Sequence, residues 1–513
     1  MTGISWPAAD GRAAGAGPWS AGISRRAVLV AAVGMAAASA MGGVLLAERQ
    51  FYAQLVVVSA VLFALVTLGA RKRERFILIV LVLSTQRLFY KLLGPTDTDI
   101  AGGVAGLYVQ TPDILLVVLA CFWAASGTAL TDLKQALMRP VVFIPLLCAM
   151  SVLPSFLAAT APYFSLAEFV RMAWMLALYV YVAARVRDRR DLLAVLGALL
   201  AITFIQTLLA TAQWATQSSL GLVRVGDESQ LVTRVADDAE IVRPSGTILH
   251  PVFLAAILAE IGLVALSVGL STESKRWRLL CLLSAGAGLL GMVLSQTRVA
   301  FLTIIPVAGA VCVWAISRGY VRLRTVVGVV AMVGIVSVVA NALVTHGNIA
   351  EGIARNFLSE HVGVEVEARQ QVNEVGLSVA RDAPLVGVGL DNYEQVLPRY
   401  DRYGIGLTGL PPHNLYILVL ADTGVVGLAG MLLTFCALVV GAFRLARSRD
   451  RTLAGIGVGA LAMYAFYALE ETTSFTLRHD VPLLGFWLLA GLVAAGLRIA
   501  EREGPATMST GAR

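Results

Sequence analysis

Residues 385–430 read LVGVGLDNYEQVLPRYDRYGIGLTGLPPHNLYILVLADTGVVGLAG. A glycine-rich, charged and aromatic segment runs to Pro411-Pro412, and His413 then opens a long apolar run. Apolar runs joined by short loops make up most of the chain before it. At this junction a long polar segment meets the membrane and presents a titratable side chain.

The totals support the membrane reading. The 513 residues are 58% hydrophobic and 14% charged, with a mean hydropathy of +0.78. Apolar runs of about 17 to 25 residues recur from end to end, long enough to cross a hydrocarbon core of about 30 Å as helices. The fold class is therefore all-α, a polytopic membrane helix bundle with a partly helical loop on its outer face. Expected spans are 27–47, 52–70, 76–93, 113–130, 141–160, 166–184, 192–214, 250–270, 279–296, 299–317, 326–345, 413–442, 453–469 and 481–498. They number fourteen, or twelve if an N-terminal hairpin is merged or lost.

The net charge of +7 would suggest nucleic acid in a soluble protein. Here the basic residues sit in short clusters between apolar runs, so no nucleic-acid partner is expected. Arg71 to Arg73, Arg185 to Arg190, Lys275 to Arg278, Arg318 to Arg324 and Arg444 to Arg451 all fall in loops of one parity. The positive-inside rule makes that side the cytoplasm. Residues 1–24 then form a cytoplasmic, disordered N-terminus, 25–345 are spans with short loops, 346–412 are an outer loop, 413–498 are C-terminal spans and 499–513 are a cytoplasmic tail. Ser24-Arg25-Arg26 ahead of Ala38-Ser39-Ala40 resembles a twin-arginine signal peptide, but an uncleaved first span fits better because more spans follow.

Three outer segments are long enough to fold: 94–112, 215–249 and 346–412. The last holds nine acidic and five basic residues. Its stretch 366–381 places Val372, Val375, Leu377 and Val379 in the pattern of a surface helix. The five cysteines, Cys121, Cys148, Cys281, Cys312 and Cys436, lie in apolar runs with no paired spacing and read as small core residues.

All five histidines, His250, His346, His361, His413 and His479, fall at outer span ends or in outer loops. No HExxH or other helix-spaced ligand pair occurs, so neither a metal nor a cofactor is expected. The run that His413 opens is about thirty residues, some 45 Å as a helix, which exceeds the hydrocarbon thickness. Its first turns should protrude outward and hold His413 above the outer leaflet. Either Asn414 or the histidine itself could cap that helix, and a capping role alone is the plain alternative to chemistry.

Two arginines share this level: Arg243, in Arg243-Pro244-Ser245-Gly246-Thr247, and Arg298, after Ser295-Gln296-Thr297. Arginine presents a planar fork suited to phosphate, and an interfacial one needs an anion or carboxylate nearby unless it snorkels. Glu168 and Arg171 are spaced to pair with each other. Asp97-Thr98-Asp99 is a DxD triplet of a kind common by chance. Gly424, Gly427 and Gly430 recur every three residues, as close helix packing requires.

The segment His413-Asn414-Leu415-Tyr416, continuing through Asp422-Thr423-Gly424 to Gly427, resembles the HNxYL…E-x-G-x-x-G signature of O-antigen ligase and O-antigen polymerase-like membrane proteins. Asp422 stands where the family has Glu. Pro384 to Gly389 with Asn392-Tyr393 resembles the family's P-x-x-G-x-G…N[FY] segment, and the arginine motifs match its two outer arginines. The resemblance covers about residues 165 to 490 and leaves 1–110 unassigned.

It implies a GT-C-type helical fold in a bacterial inner membrane, with the active site facing the periplasm. It also implies metal-free, inverting transfer of a glycan from an undecaprenyl-diphosphate carrier to an acceptor glycan or glycolipid. His413 would be the base, Arg243 and Arg298 would hold the diphosphate, and Asn414, Tyr416, Asp422, Gly389 and Asn392 would support them. A polymerase of lipid-linked repeat units shares these motifs. A transporter or flippase would place its charges near the bilayer midplane, and a scaffold would need none of these side chains.

Overall fold

The computed structural model describes residues 67–86, 106–220, 233–236, 239–248, 250–324, 360–400 and 411–503, together with a few single positions. The expected spans 27–47, 52–70 and 326–345, the end of 76–93, the N-terminal residues 1–24 and the Asp97-Thr98-Asp99 triplet lie largely or wholly outside these residues. The chain divides into two compact units, Met1–Ile77 and Leu78–Arg513. In the first, the described residues chiefly form the start of helix α1, Ala70–Ser84.

The second unit continues with α2 (Thr111–Ala125), α3 (Ala129–Leu137), α4 (Pro140–Ala149) prolonged as a 3-10 helix to Ala158, α5 (Pro162–Arg185) and α6 (Arg189–Thr216). A two-stranded antiparallel hairpin follows, β1 (Thr233–Ala236) and β2 (Ala239–Val242), with Thr233 opposite Val242. Then come α7 (Pro251–Ser271), α8 (Lys275–Ser295), α9 (Arg298–Ser317), α10 (Glu360–Asp382), α11 (Leu415–Ala446), α12 (Arg451–Glu470) and α13 (Asp480–Glu503). Among the described residues nine helices are long and apolar enough to cross a membrane, ten with the bent pair α2–α3. These correspond to the ten expected spans that fall wholly on described residues. The chain is a polytopic, essentially all-helical membrane protein.

Helices α7, α12 and α13 are apolar on nearly every face and form the centre, as buried helices of a bundle must. Helices α8, α9 and the second half of α11 expose Leu279, Leu302, Ile305, Leu433 and Val440, the kind of surface that lipid covers. At one end the basic loops meet. Arg189 pairs with Asp450 at 2.8 Å, Arg139 with Glu501 at 2.7 Å, and Arg498 donates to the carbonyls of Ala184 and Val186 at the end of α5, each at 2.7 Å.

Several expectations change. The span expected at 113–130 is two helices bent by 109°, because Ser126-Gly127 breaks the run and Gly127 takes φ +69°. Cys121 and Cys436 face outward rather than into the core, whereas Cys281 and Cys312 are buried. The amphipathic surface helix expected at 366–381, by contrast, is present as part of α10, which packs Val372, Val375 and Val379 against Tyr393, Leu397, Leu418 and Ala421.

The long run after His413 is not one straight rod. Within α11, Gly424 has φ +65° and ψ −169°, so the helix breaks there. The break opens the bonds that Val425 and Val426 would make to Ala421 and Asp422. The segment 384–389 takes up all four groups. Val425 and Val426 donate to the carbonyls of Pro384 and Leu385 at 2.9 and 3.3 Å, while Val388 and Gly389 donate to those of Ala421 and Asp422 at 3.0 and 2.9 Å. Unpaired in hydrocarbon, each group would cost several kcal/mol, roughly.

Gly424 thus serves the break rather than helix–helix packing, and Gly387 (φ +69°) and Gly389 (φ +114°) let the segment approach it. Gly430 does pack a neighbour, since a Cβ there would overlap Ser151. The glycine-only conformation and the overlap of a Cβ with the Leu385 carbonyl make Gly424→Ala costly. Expected is a loss of about 3 kcal/mol or more, read as a lower thermal midpoint and lower monodisperse yield in detergent than for Gly309→Ala, which has open space around it.

Candidate active site

The end of the bundle opposite the basic loops carries the expected site residues. Asn414 is the N-cap of α11: its Oδ1 accepts from the Ile417 amide at 3.1 Å. Its Nδ2 donates to the Thr472 carbonyl at 2.9 Å, and the Leu415 amide donates to the carbonyls of Glu471 and Ser474. Tyr416 donates to the Ala468 carbonyl at 2.9 Å. The α12–α13 loop therefore satisfies the first turn of α11, and His413 precedes that turn without capping it.

The Nδ1 of His413 lies 3.3 Å from the Pro411 carbonyl. A carbonyl only accepts, so this contact as a hydrogen bond puts a proton on Nδ1, and in the neutral ring the lone pair is then on Nε2.

A row of rings leads away from His413. Its ring centroid is 5.4 Å from Phe475, which is 5.7 Å from His479; His479 lies 3.6 Å from Phe253, and Phe253 5.3 Å from His250. All five side chains are half-buried. Three histidines from three parts of the chain thus share one wall. His361 begins α10, and His346 lies outside the described residues.

His250 is the N-cap of α7, its Nδ1 accepting from the Val252 amide at 3.2 Å, with Pro251 following as the first helical residue. Burial, then the charges of Arg243 and His413, hold its pKa down at about 4. Both groups are therefore within electrostatic reach of it.

Arg243 sits at the end of a loop pinned by two buried glutamines of α6. Gln213 accepts from the amides of Ser245 and Gly246, and Gln206 accepts from that of Thr247 and donates to its hydroxyl at 2.6 Å. Gly246, at φ +64°, is required because a Cβ would overlap Gln206. The Arg243 guanidinium donates from Nε and Nη2 to the Ser295 carbonyl at 3.1 Å, and Nη2 also reaches Gln296 and Thr297 at 3.4 and 3.5 Å. It thus closes the C-terminus of α8, where Gln296 is left-handed at φ +54°. Arg298, half-buried, begins α9 one residue after Thr297. The two arginines lie on adjoining pieces of backbone, and part of Arg243 is committed to protein carbonyls.

Beside this wall lies a buried ion network. Arg171 pairs with Glu168 at 2.6 Å and with Asp480 at 2.9 Å. Arg478 pairs with Asp391 at 2.6 Å, Asp422 at 3.1 Å and Glu168 at 3.6 Å. Asp422 also accepts from the Tyr393 amide at 2.9 Å, and Tyr108 and Gln110 donate to Asp480. The carboxylates around Arg478 hold its pKa above the ordinary guanidinium value despite burial. Glu394 is half-buried, and desolvation, then the charge of Asp391, push its carboxyl up to about 8.

Asn392 completes the frame. Its Oδ1 accepts from the Ala161 amide at 2.6 Å and its Nδ2 donates to Ser165 and the Leu390 carbonyl, which ties the segment to the start of α5. A Cβ on Gly389 would overlap Ala159. Asp422, Gly389, Asn392, Asn414 and Tyr416 are thus all engaged with backbone.

The spacing of Glu168 and Arg171 in the sequence announces their pairing; nothing in it announces Arg478 as the hub. His250, Phe253, Phe475, His479, Gln206 and Gln213 likewise join the site only through the fold. Among them, His250-Pro251 at the head of an apolar run carries a local signal, that of a helix start.

These helices and this wall define a polytopic helical membrane protein with a titratable, arginine-bearing site at one end. Residues 279–432 match the family model described as O-antigen ligase, a range that contains Arg298, Gly389, Asn392, His413, Asn414, Tyr416 and Asp422, with Arg243 upstream of it. The match supports an O-antigen ligase-like family and with it a membrane glycosyltransferase-like enzyme. No curated protein matches the chain.

Two outcomes follow from the geometry. The fold favours neutral His250, whose unfolded imidazole titrates at about 6.5. Its contribution, on the order of 3 kcal/mol, is present above that pH and lost as pH falls from there through about 4. The thermal midpoint should therefore drop between pH 7 and 4.5, and drop less in His250→Asn, which keeps a capping acceptor without the charge. Arg478→Met leaves its carboxylates uncompensated in a buried place and should cost about 3–5 kcal/mol, read as lost folded monomer at neutral pH.

Proposed function

We propose that the protein transfers a glycan from an undecaprenyl-diphosphate carrier to a hydroxyl of an acceptor glycan or glycolipid, at the periplasmic face of a bacterial inner membrane. The observation that carries this reading is the single wall joining His413, through Phe475, His479 and Phe253, to His250 and the Arg243 loop. A base near an arginine-bearing loop suits a reaction that deprotonates a hydroxyl and releases a diphosphate.

In this mechanism the acceptor hydroxyl gives its proton to Nε2 of His413 as its oxygen attacks the anomeric carbon from the face opposite the diphosphate. A new carbon–oxygen bond forms, the bond to the diphosphate oxygen breaks, and that oxygen keeps the electron pair. Arg243 and Arg298 hold the leaving charge. The product has inverted configuration, and no metal takes part. Asn414 and the α12–α13 loop fix the height of the base, and the row of rings keeps water from one side of it. The site serves ligation of a finished glycan; the same residues would also serve polymerisation of repeat units, and chain length in the product separates the two.

The test is purified protein with undecaprenyl-diphosphate glycan and candidate acceptors. His413→Ala should lower the transfer rate by about 10²- to 10⁴-fold while leaving elution and thermal midpoint unchanged. Full transfer by a folded His413→Ala protein would remove the histidine from the chemistry. A single added block marks a ligase and a ladder a polymerase.

A further inference from the structure

The opposite end of the bundle holds a groove that the transfer reaction does not use. It lies between α4, the second half of α11 and the end of α13, with a volume of about 390 Å³. That is within the range of about 300–1,000 Å³ typical of small-molecule sites. Its walls are Val141, Ile144, Leu433, Ala437 and Val440, and its rim carries Arg139, Arg444 and Glu501. From Leu433 to Arg444 the helix rises about 16 Å, the depth of one hydrocarbon leaflet. Gly441 packs so closely on Val141 that a Cβ would overlap it, which closes the floor near the rim. The groove is thus apolar along its length and charged where a headgroup would sit.

The charge at the rim has a sign. Arg139 is held by Glu501 through two contacts, at 3.1 and 2.7 Å. Arg444 is exposed and forms no ion pair among the described residues. Arg502, Arg139 and Arg187 all act electrostatically on neighbouring Arg498, against Asp132 alone on the acidic side, so the surroundings are net positive.

We infer that this groove binds an anionic glycerophospholipid of the leaflet at the basic end, its phosphate on Arg444 and one acyl chain along Leu433, Ala437 and Val440. Basic pockets between membrane helices bind anionic headgroups for this reason: the guanidinium keeps its charge at the interface and the chain replaces exposed apolar surface. Helix α11 then carries the glycan-transfer residues before its break and a lipid seat after it.

The experiment is native mass spectrometry of the purified full-length protein titrated with phosphatidylglycerol or phosphatidylcholine of matched chains. Phosphatidylglycerol adducts should survive at about fivefold higher occupancy or more, in line with a charge contact worth about one factor of ten at most. Arg444→Glu should bring the two lipids to parity, and Val440→Trp, which fills the groove, should lower both. Arg444→Gln serves as the second variant if the glutamate one does not elute as a monomer. Equal occupancy of the two lipids on the wild type, or an unchanged preference in Arg444→Glu and Arg444→Gln, overturns the site. Displacement of phosphatidylglycerol by equimolar undecaprenyl phosphate overturns the phospholipid as its occupant.

Discussion

The break at Gly424 is the constraint on which the rest of the histidine-bearing end depends. A membrane helix can lose two backbone hydrogen bonds only if something else supplies four partners, because hydrocarbon supplies none. Here the segment from Pro384 to Gly389 supplies them all. The polar loop is thereby welded to a helix within the bundle, and the first two turns of α11 are free to take a direction different from the remainder. That short half-helix carries Asn414, Tyr416 and the preceding His413. The glycines at 387, 389 and 424 are the residue type that makes the exchange sterically possible.

Charge and aromatic packing then give the site its shape. Arg478 gathers Asp391 from the loop, Asp422 from the half-helix and Glu168 from α5. One residue further, His479 stacks between Phe253 and Phe475. The same short stretch therefore holds the buried network on one side and the ring wall on the other. Arg243 works similarly between two elements, since its guanidinium reaches from the loop at 243–247 to close the end of α8. Its planar fork puts two donors on the Ser295 carbonyl, which a lysine would not.

Much of this is legible along the chain. Apolar run length locates the spans that fall on described residues, because crossing a bilayer demands a length that nothing else imitates. The junction at Pro411 to Tyr416 stands out, as do Arg243 and Arg298, because a polar group beside a membrane helix is expensive. Pairings between distant positions have no such signature. Gln206 and Gln213 look like ordinary polar residues of an apolar helix until the loop at 245–247 is seen resting on them. The triad Gly424, Gly427 and Gly430 has the spacing of a packing motif, and only backbone angles separate the first from the third.

The sequence by itself determined the class: a helical, multi-span membrane protein with basic loops at one end and histidines at the other. Hydrophobic length and charge placement are local properties, so they survive being read along a line. The tertiary structure alone decided that the helix opening at Leu415 breaks at Gly424 and is repaired by the segment Pro384 to Gly389. It alone decided that His413 stands in one row with His479 and His250. Those outcomes rest on satisfying buried backbone groups and charges with partners tens or hundreds of residues away. Such partners are chosen by the packed whole and leave no mark on local pattern.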